Sequence, residues 1–290
     1  MNHILKLYYG MEVDVSPFQY FTFHQNIYYL TCFQDNRSFF EIYQYYRYFM
    51  QQCGYQGYTI VLNVQEAIES HQHILLQYHK ESFDFQIYLH TFLTPLPIQR
   101  LPITHIKEQW ICKIDRVKEL VKHYAYSFQH NPDLVSLIYY YAGIGENCIS
   151  ILNEILSMDK NATISMGLSL KYPITEYVYD VLNPCHYIIS TRMRHLVYLI
   201  KSHLLSYDMF NELLEKQYFD IYEIYYFYAR FFFPSTFFDD ILCRQLSKEE
   251  IEKYYQIIEQ DQSMYVEMTK ILSFYISLPK ISWINRKNML

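Results

Sequence analysis

Three prolines stand within the eight residues 95–102. Proline has a fixed φ and no backbone donor, so a helix or a central strand is not expected to run through this segment. The sequence also changes character here, because strand and helix signals alternate before the prolines and helical signals dominate after them. We therefore expect a first part over residues 1–94, a linker over 95–102 and a second part over 103–290.

The first part is predicted to be a small sheet with one helix. Aromatic and β-branched residues on both sides of a polar turn predict a hairpin over 18–23 and 26–33. Apolar residues recur at three- and four-residue spacing over 36–53, and Gly54 follows as a stop, which predicts a helix. Further strands are predicted at 58–63 and 73–78.

The second part is predicted to be mostly helical. Asn131, followed by a proline and an aspartate, has the pattern of an N-cap at the start of a long helix. Ser247 and Glu250 have the spacing of a capping box at the start of another helix. In this second part, the sequence pattern typical of strands is found at residues 162–180. The remaining predicted helices cover 103–129, 184–205, 208–232 and 234–244, and the capping-box helix covers 247–276.

Composition and charge exclude several classes of protein. A hydrophobic content of 51% is too high for an intrinsically disordered chain. The net charge is −6 and no run of Lys or Arg exceeds two, so binding to nucleic acid is not expected. The six cysteines form no Cys-x-x-Cys pair, which argues against a zinc site and against a disulfide scaffold.

Membrane insertion and secretion are not expected either. The N-terminus lacks the apolar core of a signal peptide. The most membrane-like window, residues 218–238, is interrupted by Asp220, Glu223, Arg230 and Pro234. These interruptions argue against a spanning helix and favour a buried aromatic helix that ends at the proline.

The chain carries an excess of aromatic residues, with 33 Tyr and 20 Phe. Tyrosine suits half-wet contact surfaces because its ring is apolar and its hydroxyl is polar. One hypothesis is therefore an exposed tyrosine-rich docking patch in the second part, and the alternative is that these rings belong to the core. The candidate surface residues are Tyr222, Tyr225, Tyr226, Tyr254 and Tyr255.

Three motifs follow one another in a characteristic order. They are Tyr-Tyr-Tyr-Ala-Gly-Ile-Gly-Glu-Asn at 139–147, the segment 173–180, and Tyr-Ala-Arg-Phe-Phe-Phe-Pro at 228–234. Tyr-Tyr-Gly at 8–10 and Trp-x-x-Lys-x-Asp at 110–115 extend the match over nearly the whole chain. In order and spacing these motifs resemble the YutH-type spore coat proteins, a CotS-related, divergent branch of the aminoglycoside/choline-kinase-like proteins.

The resemblance implies an α+β fold of the bilobal protein-kinase-like, aminoglycoside-phosphotransferase-like type. Its small β-rich N-lobe corresponds to residues 1–94 and its larger helical C-lobe to 103–290, with a hinge at 95–102. It also implies synthesis in the cytoplasm and deposition on the spore coat in a spore-forming bacterium. Its partners are then other coat proteins or a second copy of the chain.

The same resemblance identifies Asp180 as the one remnant of a catalytic site. The run 176–180 is predicted to be a strand that presents this carboxylate to a metal. Where the family has a second aspartate a few residues later, this chain has Tyr187. The alternative for Asp180 is a structural role, in which it accepts hydrogen bonds at a strand end.

Other parts of a phosphotransferase site are not recognisable in the sequence. There is no Gly-x-Gly-x-x-Gly motif and no lysine between Val13 and Tyr78, and residues 163–173 contain no Asp, Asn or His. We therefore expect a catalytically degenerate protein that binds no cofactor and acts by binding or assembly. ATP and magnesium are expected only under the alternatives, an active small-molecule phosphotransferase with displaced catalytic residues or a nucleotide sensor without turnover.

Overall fold

A computed structural model describes the chain with the exception of residues 1–2, 14, 33–35, 66, 69–71, 95–99, 124–130, 172–173, 175–176 and 286–290. The fold is mixed α+β, with a small antiparallel sheet and a larger helical region. It divides into two compact units. Unit 1 comprises Met1–Pro97 and Met166–Leu205, and unit 2 comprises Ile98–Ser165 and Ser206–Leu290.

These units differ from the division predicted at 95–102. Residues 166–205, which the prediction assigned to the second part, belong to the same compact unit as the first 97 residues. The first prolines of the predicted linker lie outside the described residues. Arg100–Pro102 form a three-residue strand that pairs antiparallel with Thr163–Ser165 at an edge, where proline is tolerated.

Unit 1 contains the predicted hairpin, helix and strands. The four strands form an antiparallel sheet in which the first, second, fourth and third strands of the chain are neighbours in that order, with Tyr20 opposite Tyr29 in the hairpin. Leu30 and Leu75 bring the sheet against Leu5 of the first helix in a buried cluster. The elements are α1 (His3–Tyr9), β1 (Gln19–Phe23), β2 (Asn26–Cys32), α2 (Asn36–Cys53), β3 (Tyr58–Val61), β4 (His73–Tyr78) and α3 (Phe85–Leu93).

The later segment of unit 1 departs from the sequence prediction in two places. The strand expected over 162–180 ends at Leu170, and Val178–Val181 form a single helical turn. Tyr187–Thr191, predicted as helix, form a strand that pairs with Met166–Leu170. Its Tyr-Ile-Ile-Ser-Thr sequence is rich in residues that favour strands, and tertiary pairing supplies the partner.

A helix does follow this strand. Thr191 caps it by accepting a hydrogen bond from the Arg194 amide, so the helix begins at Arg192 instead of at residue 184. Two strands precede this part of the chain, β5 (Arg100–Pro102) and β6 (Thr163–Leu170). The elements that follow are α6 (Val178–Val181), the 3₁₀ turn Pro184–His186, β7 (Tyr187–Thr191) and α7 (Arg192–Lys201). Two helices of unit 2, α4 (Ile103–His123) and α5 (Pro132–Met158), precede α6 in the chain.

Unit 2 is built from long helices, as predicted. Asn131 accepts a hydrogen bond from the Leu134 amide, and Ser247 and Glu250 form the expected capping box. Gly145 permits close helix packing, because a Cβ there would stand 2.9 Å from Ile114 Cδ1. The helices are α4 (Ile103–His123), α5 (Pro132–Met158), α8 (Tyr207–Glu215), α9 (Ile221–Phe232), α10 (Ser235–Cys243) and α11 (Lys248–Leu272).

The single helix predicted over 208–232 is in fact two helices, α8 and α9. The Asp220 carboxylate accepts a hydrogen bond from the Glu223 amide, and the Glu223 carboxylate accepts one from the Asp220 amide. This second capping box starts α9 afresh, which explains the break. In the part of the chain that the structure describes, no helix combines the length and apolarity needed to span a membrane.

The structure corrects the prediction of an exposed tyrosine patch. Tyr225, Tyr226 and Tyr254 are buried in unit 2, with 8%, 4% and 7% of their surfaces exposed. Tyr222 and Tyr255 are half-buried. Three of the five rings therefore serve the core, and a docking face built from all five does not exist on the folded unit.

Candidate functional site

Asp180 lies in the single helical turn of unit 1 and is 8% exposed. Its carboxylate is not presented at a strand end. Its Oδ1 accepts a hydrogen bond of 2.7 Å from the Tyr20 hydroxyl, which comes from the hairpin of the sheet. The Tyr20 hydroxyl in turn accepts one of 2.9 Å from Asn183 Nδ2. Asp180 is thus tied to a strand that lies far away in sequence.

His186 closes the other side of this cluster. Its Nδ1 lies 3.0 Å from the Asp180 backbone oxygen and 3.3 Å from Asp180 Oδ1. Burial lowers the pKa of His186, although the neighbouring carboxylate acts in the opposite direction. The ring is therefore neutral at pH 7. Because a carbonyl oxygen can only accept, Nδ1 carries the proton and donates it.

Asn183 shapes the loop between these two residues. Its Oδ1 accepts a hydrogen bond of 2.9 Å from the Cys185 amide and so caps the 3₁₀ turn that begins at Pro184. Its Nδ2 reaches Tyr20, as described above. An asparagine before a proline is a recognisable cap signal in the sequence, although no role was predicted for Asn183.

Tyr187 is the residue that the sequence predicts in place of a second aspartate. It is fully buried, and its hydroxyl donates a 2.6 Å hydrogen bond to the Val181 carbonyl. Tyr88 OH lies 2.8 Å from the same hydroxyl. Burial raises the pKa of Tyr187, so the group stays a neutral donor. It fixes the turn that carries Asp180 and contributes no negative charge for a metal.

Lys171 is the cation next to this loop. Its Nζ donates a 2.7 Å hydrogen bond to the Cys185 carbonyl, and burial lowers its pKa. Cys185 is itself buried, and burial raises the pKa of its thiol to about 12. The thiol is therefore protonated at neutral pH and does not act as a thiolate nucleophile or metal ligand there.

We call four of these residues the Asp180 cluster: Tyr20, Asp180, Asn183 and His186. Tyr58 supports it by donating a 2.8 Å hydrogen bond to the Tyr179 carbonyl, which precedes the aspartate. Among the described residues, no group of three or more His, Cys, Asp and Glu side chains could hold a metal ion. Magnesium sites usually share carboxylates, waters and phosphates, and among the four residues of this cluster Asp180 is the one carboxylate.

Sequence reasoning found Asp180 but missed its partners. Tyr20 is 160 residues from Asp180 in the chain, so no local pattern joins the two. His186 lies near the start of the helix predicted over 184–205, and Asn183 directly precedes that helix. Comparisons with protein-family models, with curated proteins and with solved structures gave no match.

Proposed function

We propose that this protein is a catalytically degenerate, kinase-like protein that acts by binding and assembly and is deposited on the spore coat of a spore-forming bacterium. The proposal that the protein is not catalytic rests on the hydrogen bonds of Asp180. Its Oδ1 accepts from Tyr20 at 2.7 Å and lies 3.3 Å from His186 Nδ1. A carboxylate engaged in this way serves as an internal acceptor.

Two further observations support the kinase-like part of the proposal. The first is the order of the five motifs along the chain. The second is the order of elements in unit 1, where a hairpin is followed by a helix and by two more strands of one antiparallel sheet. This is the order that the family resemblance implies for the N-lobe. The bilobal arrangement and the spore-coat location remain part of the proposal.

A thermal-shift scan against nucleotides, with and without magnesium, tests the loss of catalysis. A ligand present at about 100 times its Kd stabilises a protein by about 2.7 kcal/mol, which is several degrees of Tm for a chain of this size. We expect no magnesium-dependent shift with ATP, because the one candidate carboxylate is engaged by protein donors.

Two other outcomes would replace the proposal. A shift that needs both ATP and magnesium would indicate an active phosphotransferase with displaced catalytic residues. A shift with ATP alone would indicate a nucleotide sensor without turnover. The location is tested separately by immunodetection in coat extracts of purified spores, and a signal confined to the mother-cell lysate would contradict it.

A further inference from the structure

A cleft of about 620 Å³ runs along the outer face of helix α2 in unit 1. This volume lies within the range of about 300–1,000 Å³ that is typical of small-molecule sites. Most of the lining residues follow one another at three- and four-residue spacing, so they share one face of the helix. The cleft is lined by Tyr43, Gln44, Arg47, Tyr48, Gln51 and Tyr55.

Two of the three rings in this cleft are held in place by their hydroxyl groups. Tyr43 OH donates a 3.2 Å hydrogen bond to the Tyr58 carbonyl. Tyr55 OH donates to the Asp84 carbonyl at 3.1 Å and accepts from the Asp84 amide at 2.6 Å. The chain turns back at Gly54, which has a φ of +75°, and this turn sets Tyr55 beside the last turn of the helix.

The third ring faces solvent. Tyr48 is 54% exposed although it belongs to a helix that buries its opposite face in unit 1. Two of the three rings are thus ordered before a ligand arrives, which lowers the cost of ordering the site on binding. Tyrosine offers such a surface an apolar face for stacking and a polar rim.

The polar groups of the cleft are two amides and one cation. Gln44 and Gln51 are exposed, and each offers both a donor and an acceptor. Arg47 Nη1 donates to the carbonyls of Gln56 and Tyr58. A guanidinium has five N–H donors, so these two bonds fix Arg47 while leaving further donors for a ligand. The residues that line the cleft include no carboxylate.

We propose that this cleft binds a saccharide that carries a carboxylate, such as a uronic acid oligomer. A pyranose ring has an apolar C–H face, which suits the tyrosine rings, and a rim of hydroxyls, which suits the paired donors and acceptors of the glutamines. The carboxylate pairs with Arg47, since guanidinium matches carboxylate geometry with two parallel bonds. The site is separate from the Asp180 cluster and does not depend on the proposed function.

The test is isothermal titration of the full chain with trigalacturonic acid and with neutral maltotriose. We expect saturable binding and a preference for the acidic sugar. Tyr48→Ala is expected to weaken binding about tenfold through lost stacking, with little effect on melting because the ring is exposed. Tyr139→Ala is the matched control, since Tyr139 is 53% exposed on a helix of unit 2.

Arg47→Lys tests the role of charge geometry. It keeps the positive charge but loses the planar fork, so we expect the preference for trigalacturonic acid over maltotriose to fall about fivefold. The proposal is overturned if neither sugar binds saturably at millimolar concentration. It is also overturned if Tyr48→Ala binds like the wild type, or if Tyr139→Ala loses binding equally. Binding of AMP that depends on Tyr48 and exceeds that of both sugars would identify a nucleobase site instead.

Discussion

His195 gives the protein a pH-dependent stability that is open to measurement. It is fully buried in unit 1, with its ring stacked on Phe92 and its Nε2 3.2 Å from Tyr88 OH. Its Nδ1 has no hydrogen-bond partner among the described residues. Burial lowers the pKa of His195 from 6.5 to about 3. The neighbouring titratable groups are the hydroxyls of Tyr88 and Tyr187, whose pKa values burial raises.

The sign of the effect follows from linkage. Above pH 6.5 the imidazole is neutral in both states, so the full free energy of unfolding is present. As the pH falls below 6.5, His195 binds a proton in the unfolded chain but not in the folded chain. The free energy of unfolding therefore decreases until about pH 3. An unfolded pKa of about 6.5 gives a loss of about 2 kcal/mol at pH 5 and about 5 kcal/mol in full.

The assay is urea unfolding of the wild type and His195→Phe at about pH 7.5, 6 and 5, followed by circular dichroism. The substitution removes the ionisable group and keeps a ring against Phe92. Any packing cost of the substitution is the same at each pH. It therefore cancels when the change of unfolding free energy with pH is compared between the two proteins. We expect the wild type to lose about 2 kcal/mol more than the variant between the extremes. His105→Gln, which removes an exposed imidazole, is the control.

Parallel pH curves for the wild type and His195→Phe would refute this reasoning. They would mean that His195 takes up its proton within the folded state, through local opening or a hydrogen-bond rearrangement, and that its burial does not oppose ionisation. A difference at pH 5 that is present but much smaller than about 2 kcal/mol would mean that the unfolded pKa used in the calculation is too high. Both results are distinguishable from a general acid effect by the His105→Gln control.

Two further predictions concern the Asp180 cluster and the end of helix α2. Asp180→Asn is expected to cost about 1 kcal/mol of stability by removing charge from its hydrogen bonds, without changing the heat of magnesium titration; a magnesium response that disappears in the variant would indicate a metal ligand. Gly57→Ala is expected to cost about 2 kcal/mol more than Gly54→Ala, measured by urea unfolding. Both glycines have positive φ, but only at Gly57 would a Cβ meet Tyr46 OH, at 2.2 Å, so equal losses would contradict the steric explanation.

Local signals predicted the elements whose causes are local. Gly54 ends helix α2 with a positive φ, and the Asn131 cap and the Ser247–Glu250 capping box each start a helix where the sequence indicated. In these cases the residues that fix the conformation lie within a few positions of one another. In such cases the local sequence pattern predicts directly which hydrogen bonds form.

The sequence predictions are wrong where strand pairing or packing between residues far apart in the chain determines the structure. Tyr187–Thr191 becomes a strand because Met166–Leu170 is there to pair with it. Tyr225 and Tyr226 lie in a helix that the sequence shows to be rich in aromatic residues, but only the tertiary structure shows that both rings are covered. Tyr20, which donates a hydrogen bond to Asp180, is 160 residues away in the chain, so the candidate site was predicted as one residue and not as a cluster.

Several tyrosines have a structural role through the hydrogen bonds of their hydroxyl groups. Tyr58, Tyr187, Tyr225 and Tyr228 each donate to a backbone carbonyl at the end of an element or in a loop, at distances of 2.6–3.3 Å. A buried carbonyl without a donor costs about 1–3 kcal/mol, so each such ring fills core volume and also satisfies the chain that turns beside it. Phenylalanine would supply only the first of these contributions. In a chain with 6 Gly, where tight glycine turns are few, tyrosine therefore ties irregular segments to the helices and sheet that they border.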